Sequence, residues 1–279
     1  MSKFALIGHP LGHSMSPLIH EKLFALSGMT DAEYSLLDID PADLPQKREL
    51  LGSLGGLNVT IPHKQAVIPL LDELGESAQR YNSVNCIKND GGRLTGYNTD
   101  CDGFTMSVRD YPMDGKVLLI GCGGVGRMIA TEALRHGADL TIGIIPQDQE
   151  LVEAFIQEAK AAMPDAVVRY AITAEIHEKF DVIINASPVG MYPKTDACPV
   201  PDELIDQADY FFDVIYNPTK TLFLRKALAQ GKTARGGAAM LVLQAVRAHE
   251  IWDGDTYTQE QIDSIIAEME QTIDAQNQA

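Results

Sequence analysis

Residues 117–126, "VLLIGCGGVG", carry the reading that decides the fold. Val117 to Ile120 is an unbroken apolar run, the pattern of a strand buried on both faces. Gly121, Gly123 and Gly126 follow at the GxGxxG spacing, and a helical pattern, "RMIATEALRHG", follows them. A strand, a glycine turn and a helix in this order make a site for a dinucleotide pyrophosphate. The glycines allow a tight turn and a close backbone approach, and the helix start presents free N–H groups to an anion. Gly121, Gly123, Gly124, Val125 and Gly126 are therefore the candidate dinucleotide contacts. The competing reading is a glycine turn with only a structural role, and the strand before it and the helix after it favour the ligand.

Downstream, "ADLTIGII" reads as the next strand, followed by the amphipathic "ELVEAFIQEAKAAM" and by the strands "AVVRYAI", "DVIINAS" and "YFFDVIY". Such a βαβ series predicts a Rossmann-type, doubly wound dinucleotide-binding domain over residues 102–237. The motif calls for an acidic residue about 20 residues past the glycines, gripping a ribose hydroxyl. An Arg there would instead suit a 2′-phosphate. The strand runs instead into Ile144, Ile145 and Pro146, and Asp148 matters only where the loop folds back. Upstream, "KFALIG", "AEYSLLDID" and "GGLNVTIP" read as strands, "SPLIHEKLFALSG" as a helix, and "SVNCIKN-DGG-RLTGYN" as a hairpin. Residues 1–101 are thus expected to form a second α/β domain with a largely parallel sheet. The tail carries two helical patterns, "AAMLVLQAVRAHEIW" and "TQEQIDSIIAEMEQTI".

The chain has 279 residues, 45% of them hydrophobic, and a formal net charge of −17. Such a balance repels phosphate backbones and anionic lipid, so nucleic acid and membrane are excluded as partners. No apolar run approaches the ~20 residues of a membrane span, and "FALI" is too short for a signal peptide. Cys86, Cys101, Cys122 and Cys198 form no CxxC pair and read as reduced thiols of a cytoplasmic protein.

Other candidates for chemistry lie near the ends of the upstream strands. Lys64 follows "GLNVTIPH", Asp100 ends "GYNTD", and Asn85 sits in "SVNC". One ammonium, one carboxylate and an amide suit a small polar substrate, although spacing alone leaves Lys64 and Asp100 as two separate surface residues. In "GHPLGHSMSP" (Gly8–Pro17), Ser16 reads as a helix N-cap before Pro17, with Ser14 beside it. A helix start carries partial positive charge, a means of holding a carboxylate without an Arg. His9 and His13 have an H-x₃-H spacing, but Pro10 and Gly12 interrupt any helix and no third ligand follows, so no metal is expected. His20 and His63 read as hydrogen-bonded helix-start residues. Taken alone, Tyr216 reads as a half-buried tyrosine and Gln244 as a solvated helix residue.

In order along the chain, "GHPLGHSMSPLIH", "GLNVTIPHK", "SVNC", "GYNTD", "GCGGVG", "NASPVGM", "DVIYNPTKTLFL" and "GAAMLVLQA" resemble the motifs of the shikimate dehydrogenases. The resemblance implies a two-domain enzyme, with the C-terminal helices 238–279 joining the N-terminal substrate domain. It implies reversible NAD(P)H-dependent reduction of 3-dehydroshikimate to shikimate, on the route to the aromatic amino acids, by a monomer or homodimer. Ser14 and Ser16 are implied to hold the substrate carboxylate. Asn58, Thr60, Asn85 and Gln244 are implied to bind ring hydroxyls, with Lys64 and Asp100 the catalytic pair. Tyr216 and Gly237 are implied near the junction of substrate and nicotinamide, and Ser187 and Met240 on the cofactor side.

Several positions depart from the family pattern. Ile144-Ile145-Pro146 replaces an Arg-containing motif, so NADP is the family default and NAD stands beside it. Cys86 and Cys122 replace a Thr and an Ala, so thiol reagents are expected to inhibit. Lys64 is either a desolvated proton donor and acceptor or a cation that steadies the developing alkoxide. Quinate as substrate, or a non-catalytic dinucleotide sensor on the same fold, are the alternative functions.

Overall fold

The computed structural model describes residues 2–12 and 14–278. The chain is α/β and divides into two units. The first contains the chain up to Gly103 together with Leu241–Met269, and the second contains Phe104–Met240 together with the chain from Glu270 onward. The boundaries differ from those read in the sequence. They fall inside helices, past Asp100 and Gly237, where no composition change marks them. The last turns of the chain also go with the second unit instead of the first. There Asp274 accepts from the Thr219 hydroxyl at 2.6 Å, and Asn277 donates to Asn217 at 2.8 Å.

In the first unit the strands are β1 (Lys3–Gly8), β2 (Glu33–Asp38), β3 (Gly56–Val59), β4 (Glu73–Leu74), β5 (Cys86–Asp90) and β6 (Arg93–Tyr97). Its helices are α1 (Ser16–Ser27), α2 (Arg48–Gly52), α3 (His63–Ala66), α4 (Glu76–Tyr81) and α5 (Asp100–Ser107), the last of which leads into the second unit. The sheet order is β2-β1-β3-β5-β6-β4. It is largely parallel, as expected, with one strand reversed: β1 pairs parallel with β2 and β3, and β4 with β6, while β5 is antiparallel to both β3 and β6. The cause is the tight hairpin between β5 and β6, where Gly91 and Gly92 take φ of 59° and 97°. Glycine alone adopts these without strain.

The apolar run of β1 is buried on both faces, so its residues alternate between two cores. Ala5 and Ile7 pack with Leu57, Val59, Ile87 and Leu94. Phe4 and Leu6 pack with Phe24 of α1 and with Ala248 and Trp252. The latter two lie on α10 (Gly237–Asp253), which returns to cover this sheet after the second unit's helices α6 to α9, given below. The Trp252 indole N–H donates to the Ile87 carbonyl at 3.0 Å. It also explains Gly56: a Cβ there would stand 2.6 Å from the indole nitrogen.

The second unit has β7 (Lys116–Ile120), β8 (Asp139–Ile144), β9 (Val167–Ile172), β10 (Val182–Asn185), β11 (Tyr210–Asp213) and β12 (Thr233–Arg235). Between them run α6 (Gly124–Arg135), α7 (Gln149–Ala162), α8 (Asp202–Asp206) and α9 (Leu222–Ala229), and the chain ends on α11 (Gln259–Gln278). All pairs are parallel, in the order β12-β11-β10-β7-β8-β9. The chain steps outward from β7 in one direction, then returns to β10 and steps outward in the other. That is the doubly wound Rossmann arrangement, with its switch point between β7 and β10. The β11 strand stops at Asp213, so Tyr216 lies on a loop and not on the strand that "YFFDVIY" predicts.

Among the described residues no helix is long and apolar enough to cross a membrane. Gly56→Ala should destabilise the first unit by about 1–3 kcal/mol, because the added methyl must displace a buried indole. Urea unfolding followed by the fluorescence of the single tryptophan measures this. A loss below about 0.5 kcal/mol would show that Trp252 shifts freely.

Candidate active site

Strand register gathers the first group of candidates. Asn58 of β3 pairs with Cys86, and Cys86 pairs in turn with Tyr97 of β6. Because β5 runs opposite to its neighbours, its beginning lies beside the ends of β3 and β6. The segments leaving those ends carry Thr60 to Lys64, Asn85, and Asn98 to Asp100. The parallel β1 ends at the same edge, where its loop leads to Ser14 and Ser16. Gly8, the last residue of β1, is the fitting piece: a Cβ there would stand 2.5 Å from the Thr60 methyl.

Lys64 and Asp100, unconnected in sequence, meet. Lys64 Nζ lies 2.5 Å from Asp100 Oδ2, with side chains 27% and 21% exposed, so water and a ligand can reach both. Asn85 sets the other oxygen. Its Nδ2 donates to Asp100 Oδ1 at 2.9 Å and to Thr99 Oγ1 at 3.0 Å. Its Oδ1 accepts from the Thr99 amide at 2.6 Å. The Lys64 backbone is fixed from the other side, its carbonyl accepting from the Val84 amide at 2.8 Å. Gln244 is 9% exposed and therefore not the solvated residue it reads as alone. Its Nε2 donates to the Leu241 carbonyl, and its Oε1 stands 3.5 Å from Asn85 Nδ2 and Thr99 Oγ1.

Ser16 is not an N-cap. Met15 occupies that position, and Ser16 is the first residue of α1. The Ser14 hydroxyl accepts from the Ser16 amide, the first amide of α1, at 3.2 Å. The Ser16 hydroxyl faces Tyr34, whose own hydroxyl donates to Asn58 Oδ1 at 2.8 Å and is pushed up by burial. Tyr34 stacks on the buried His20 at 4.2 Å. His20 Nδ1 pairs with His249 Nε2 at 3.0 Å, both rings held toward the neutral form by burial, His249 down to about 4. Thr99, Tyr34 and His249 belong to none of the sequence candidates, and His20 reads from the sequence only as a hydrogen-bonded helix-start residue. Only hydrogen bonding and packing show that they stand behind candidate residues.

His9 and His63 have structural partners. His9 Nδ1 bonds Asp38 at 2.6 Å, which with the Leu11 amide holds that carboxyl below its usual range. His63 Nε2 donates to the Ile39 carbonyl at 2.7 Å. His13 lies outside the described residues, and among those described no cluster of three or more His, Cys, Asp or Glu could hold a metal.

The second unit carries the dinucleotide candidates. Gly121 has φ 93°, and a Cβ on Gly126 would stand 2.5 Å from the Gly121 carbonyl oxygen, so these two glycines let α6 close onto β7. Gly123 and Gly124 face open space, and Val125 is 41% exposed. The first helical bond joins the Arg127 amide to the Gly123 carbonyl, and no side chain caps the helix. The amides of Gly124, Val125 and Gly126 are left for a ligand, a fit to a pyrophosphate.

At the switch point Asn185 Nδ2 donates to Asp213 Oδ1 at 3.0 Å, and Asn185 Oδ1 accepts from the Ser187 amide and hydroxyl at 3.1 and 2.7 Å. Asp213 is fully buried and also accepts from the Thr221 hydroxyl and the Ile215 amide at 2.7 and 3.0 Å. It thus holds the loops of both Ser187 and Tyr216. Tyr216 is 40% exposed, and Met240 is half-buried. Gly237 has no room for a Cβ, which would overlap the Val214 carbonyl oxygen. The expected thiol sensitivity is not supported. Cys86 and Cys122 are buried, and burial pushes both thiols up, Cys122 to about 11, away from the reactive thiolate.

A family described as the shikimate dehydrogenase substrate binding domain matches residues 6–87. The shikimate dehydrogenase (NADP(+)) of Geobacillus kaustophilus is 38% identical over 263 residues, 90% of this chain and 92% of that protein. Among solved structures, a chorismate mutase/shikimate 5-dehydrogenase fusion protein from Clostridium acetobutylicum is 32% identical with a TM-score of 0.85, covering 98% of each chain. The shikimate 5-dehydrogenase of Listeria monocytogenes, in complex with shikimate and NAD, is 28% identical with a TM-score of 0.84, covering 95% of this chain and 96% of that one.

Burial pushes the Asp213 carboxyl up to about 6, against the pull of its three donors. A carboxyl raised above its unfolded value binds protons more readily when folded. Its contribution to stability is full below the unfolded value and falls as pH rises through the folded one. Across this window the loss is at most about 3 kcal/mol. Asp213→Asn cannot ionise, so its stability relative to the unsubstituted protein should improve between about pH 4 and pH 7. Urea unfolding at each pH measures the difference, and a flat difference would mean that Asp213 ionises without penalty.

Proposed function

The chain belongs to the shikimate dehydrogenase family, and from that premise we propose that it interconverts 3-dehydroshikimate and shikimate with a nicotinamide dinucleotide. The observation that carries this reading is the Lys64–Asp100 contact, braced by Asn85 at the edge where the strand ends collect. Ligands of open α/β sheets bind outside the carboxyl ends of strands.

In the proposed arrangement Ser14 and Ser16 take the substrate carboxylate, where the start of α1 adds roughly 0.3–1 kcal/mol for an anion. Asn58, Thr60, Asn85 and Gln244 take ring hydroxyls. The second unit's glycine turn, with Ser187, Tyr216, Gly237 and Met240, takes the dinucleotide. When bound in its reduced form, that group supplies the hydride that the carbonyl carbon gains. Lys64 Nζ donates to the carbonyl oxygen, which gains a proton as the carbon gains the hydride. Its charge opposes the negative charge that builds on that oxygen. Asp100 holds Lys64 with one oxygen and is itself aimed by Asn85 through the other. It is therefore placed to orient the ammonium and to accept from a ring hydroxyl. The curated relative is named for NADP(+), the Listeria structure holds NAD, and this chain has Ile144-Ile145-Pro146 after β8. A cytoplasmic setting agrees with the free thiols of Cys86, Cys122 and Cys198.

Oxidation of shikimate and of quinate, each with NAD and with NADP, tests the reading. Turnover of shikimate supports it, turnover of quinate alone shifts the substrate, and no turnover with any pair leaves a non-catalytic binder. Lys64→Met should lower kcat by about a hundredfold or more while the shikimate KM stays within about threefold. Turnover like that of the unsubstituted enzyme would remove Lys64 from the mechanism. Ser14→Ala should raise the shikimate KM more than it lowers kcat, and an unchanged KM would place the carboxylate elsewhere.

A further inference from the structure

The segment after β8 differs from what a 2′-phosphate would need. β8 pairs with β7 so that Ile120 faces Gly143, and the Gly121 amide donates to the Gly143 carbonyl at 2.9 Å. The chain that leaves β8 therefore starts beside the glycine turn. Ile144 is buried, Ile145 is 57% exposed, and Pro146–Asp148 form a single helical turn. The Asp148 amide donates back to the Ile145 carbonyl at 3.0 Å, and this bond closes the turn. Asp148 thus stands at the end of a helical turn that starts one residue past β8.

Three charged groups act on Cys122, the residue inside the glycine turn: Arg127, Asp148 and Glu158. Arg127 is already engaged, paired with Glu158 and lying over the Phe155 ring at 5.4 Å. Glu158 is its partner. The Asp148 carboxylate is the free member: among the described residues no hydrogen bond or ion pair holds it, and it does not cap α7. A 2′-phosphate entering here would meet one cation already neutralised and two carboxylates. A ribose diol would meet an acceptor with open lone pairs.

We propose that Asp148 binds the adenosine ribose hydroxyls of the dinucleotide, so that this chain selects NAD over NADP. The acid that Rossmann sites carry at the end of the second strand has moved to the helical turn that follows it, and Ile145 stands where a guanidinium would be needed. This inference rests on the dinucleotide assignment proposed above. It separates the chain from its Geobacillus relative, which is named for NADP(+).

Calorimetric titration of the purified protein with NADH, NADPH, ADP-ribose and 2′-phospho-ADP-ribose tests it without turnover. The form lacking the phosphate should bind at least about tenfold more tightly in both pairs. Asp148→Asn should shrink that preference by about tenfold, weakening NADH and relieving NADPH. The double variant Asp148→Ser with Ile145→Arg should reverse it. NADPH binding as tightly as NADH, or an Asp148→Asn ratio equal to that of the unsubstituted protein, would overturn the proposal. A protein that binds NADH selectively but turns over neither shikimate nor quinate would leave this inference standing and remove the proposed reaction. Turnover with a preference for NADP would do the reverse.

Discussion

The Asn85 side-chain amide is the joint on which the candidate site depends. It sits in the segment entering β5, the strand that runs against its neighbours, and so stands beside the ends of β3 and β6 at once. With one nitrogen it reaches Asp100 and Thr99, and with its oxygen it takes the Thr99 amide. Its backbone carbonyl accepts from the Val59 amide and from Asn58 Nδ2. Three chain segments, β3, the entry to β5 and the segment leaving β6, are tied through one residue that is 3% exposed. A buried polar group that loses its partner costs about 1–3 kcal/mol, so each tie constrains the others. The Lys64–Asp100 contact is the consequence: one carboxylate oxygen is aimed by Asn85, and the other is left to the ammonium.

The second unit solves a similar problem with a carboxylate. Asp213 accepts three hydrogen bonds, from Asn185 Nδ2, the Thr221 hydroxyl and the Ile215 amide. Through Asn185 it sets Ser187, and through Ile215 it sets the approach to Tyr216. Burying a carboxyl there raises it to about 6, a cost borne for two loops held at one switch point. The glycines work by absence instead. Gly126 lets α6 reach the Gly121 carbonyl, and Gly237 lets α10 start against Val214.

Much of this was legible in the chain, and the reasons are local. The β1 and β7 runs are apolar at every position because both faces are buried, and such runs declare themselves. The glycine turn, the hairpin glycines and the Gly28 stop of α1, with φ 81°, are signals carried by single residues. Short elements were harder. The β12 strand and the two-residue β4 have too few positions to show a period, and they exist because a neighbouring strand edge accepts them. The end of β11 was placed three residues late, because "VIY" continues the apolar pattern while Asp213 turns the backbone away to satisfy its own carboxylate.

The sequence by itself determined the two α/β units, the dinucleotide-binding turn, and the identity of the candidate residues, since motifs and periodicities are properties of neighbours along the chain. Tertiary structure alone decided that Lys64 touches Asp100, that Met15 and not Ser16 stands at the N-cap of α1, and that Gln244 is buried. It also decided that Ile145 to Asp148 close a helical turn after β8. Each of these depends on strand register or on helix packing between residues far apart in the chain. A distance of that kind is fixed only when the hydrogen bonds and buried faces of several segments are satisfied together.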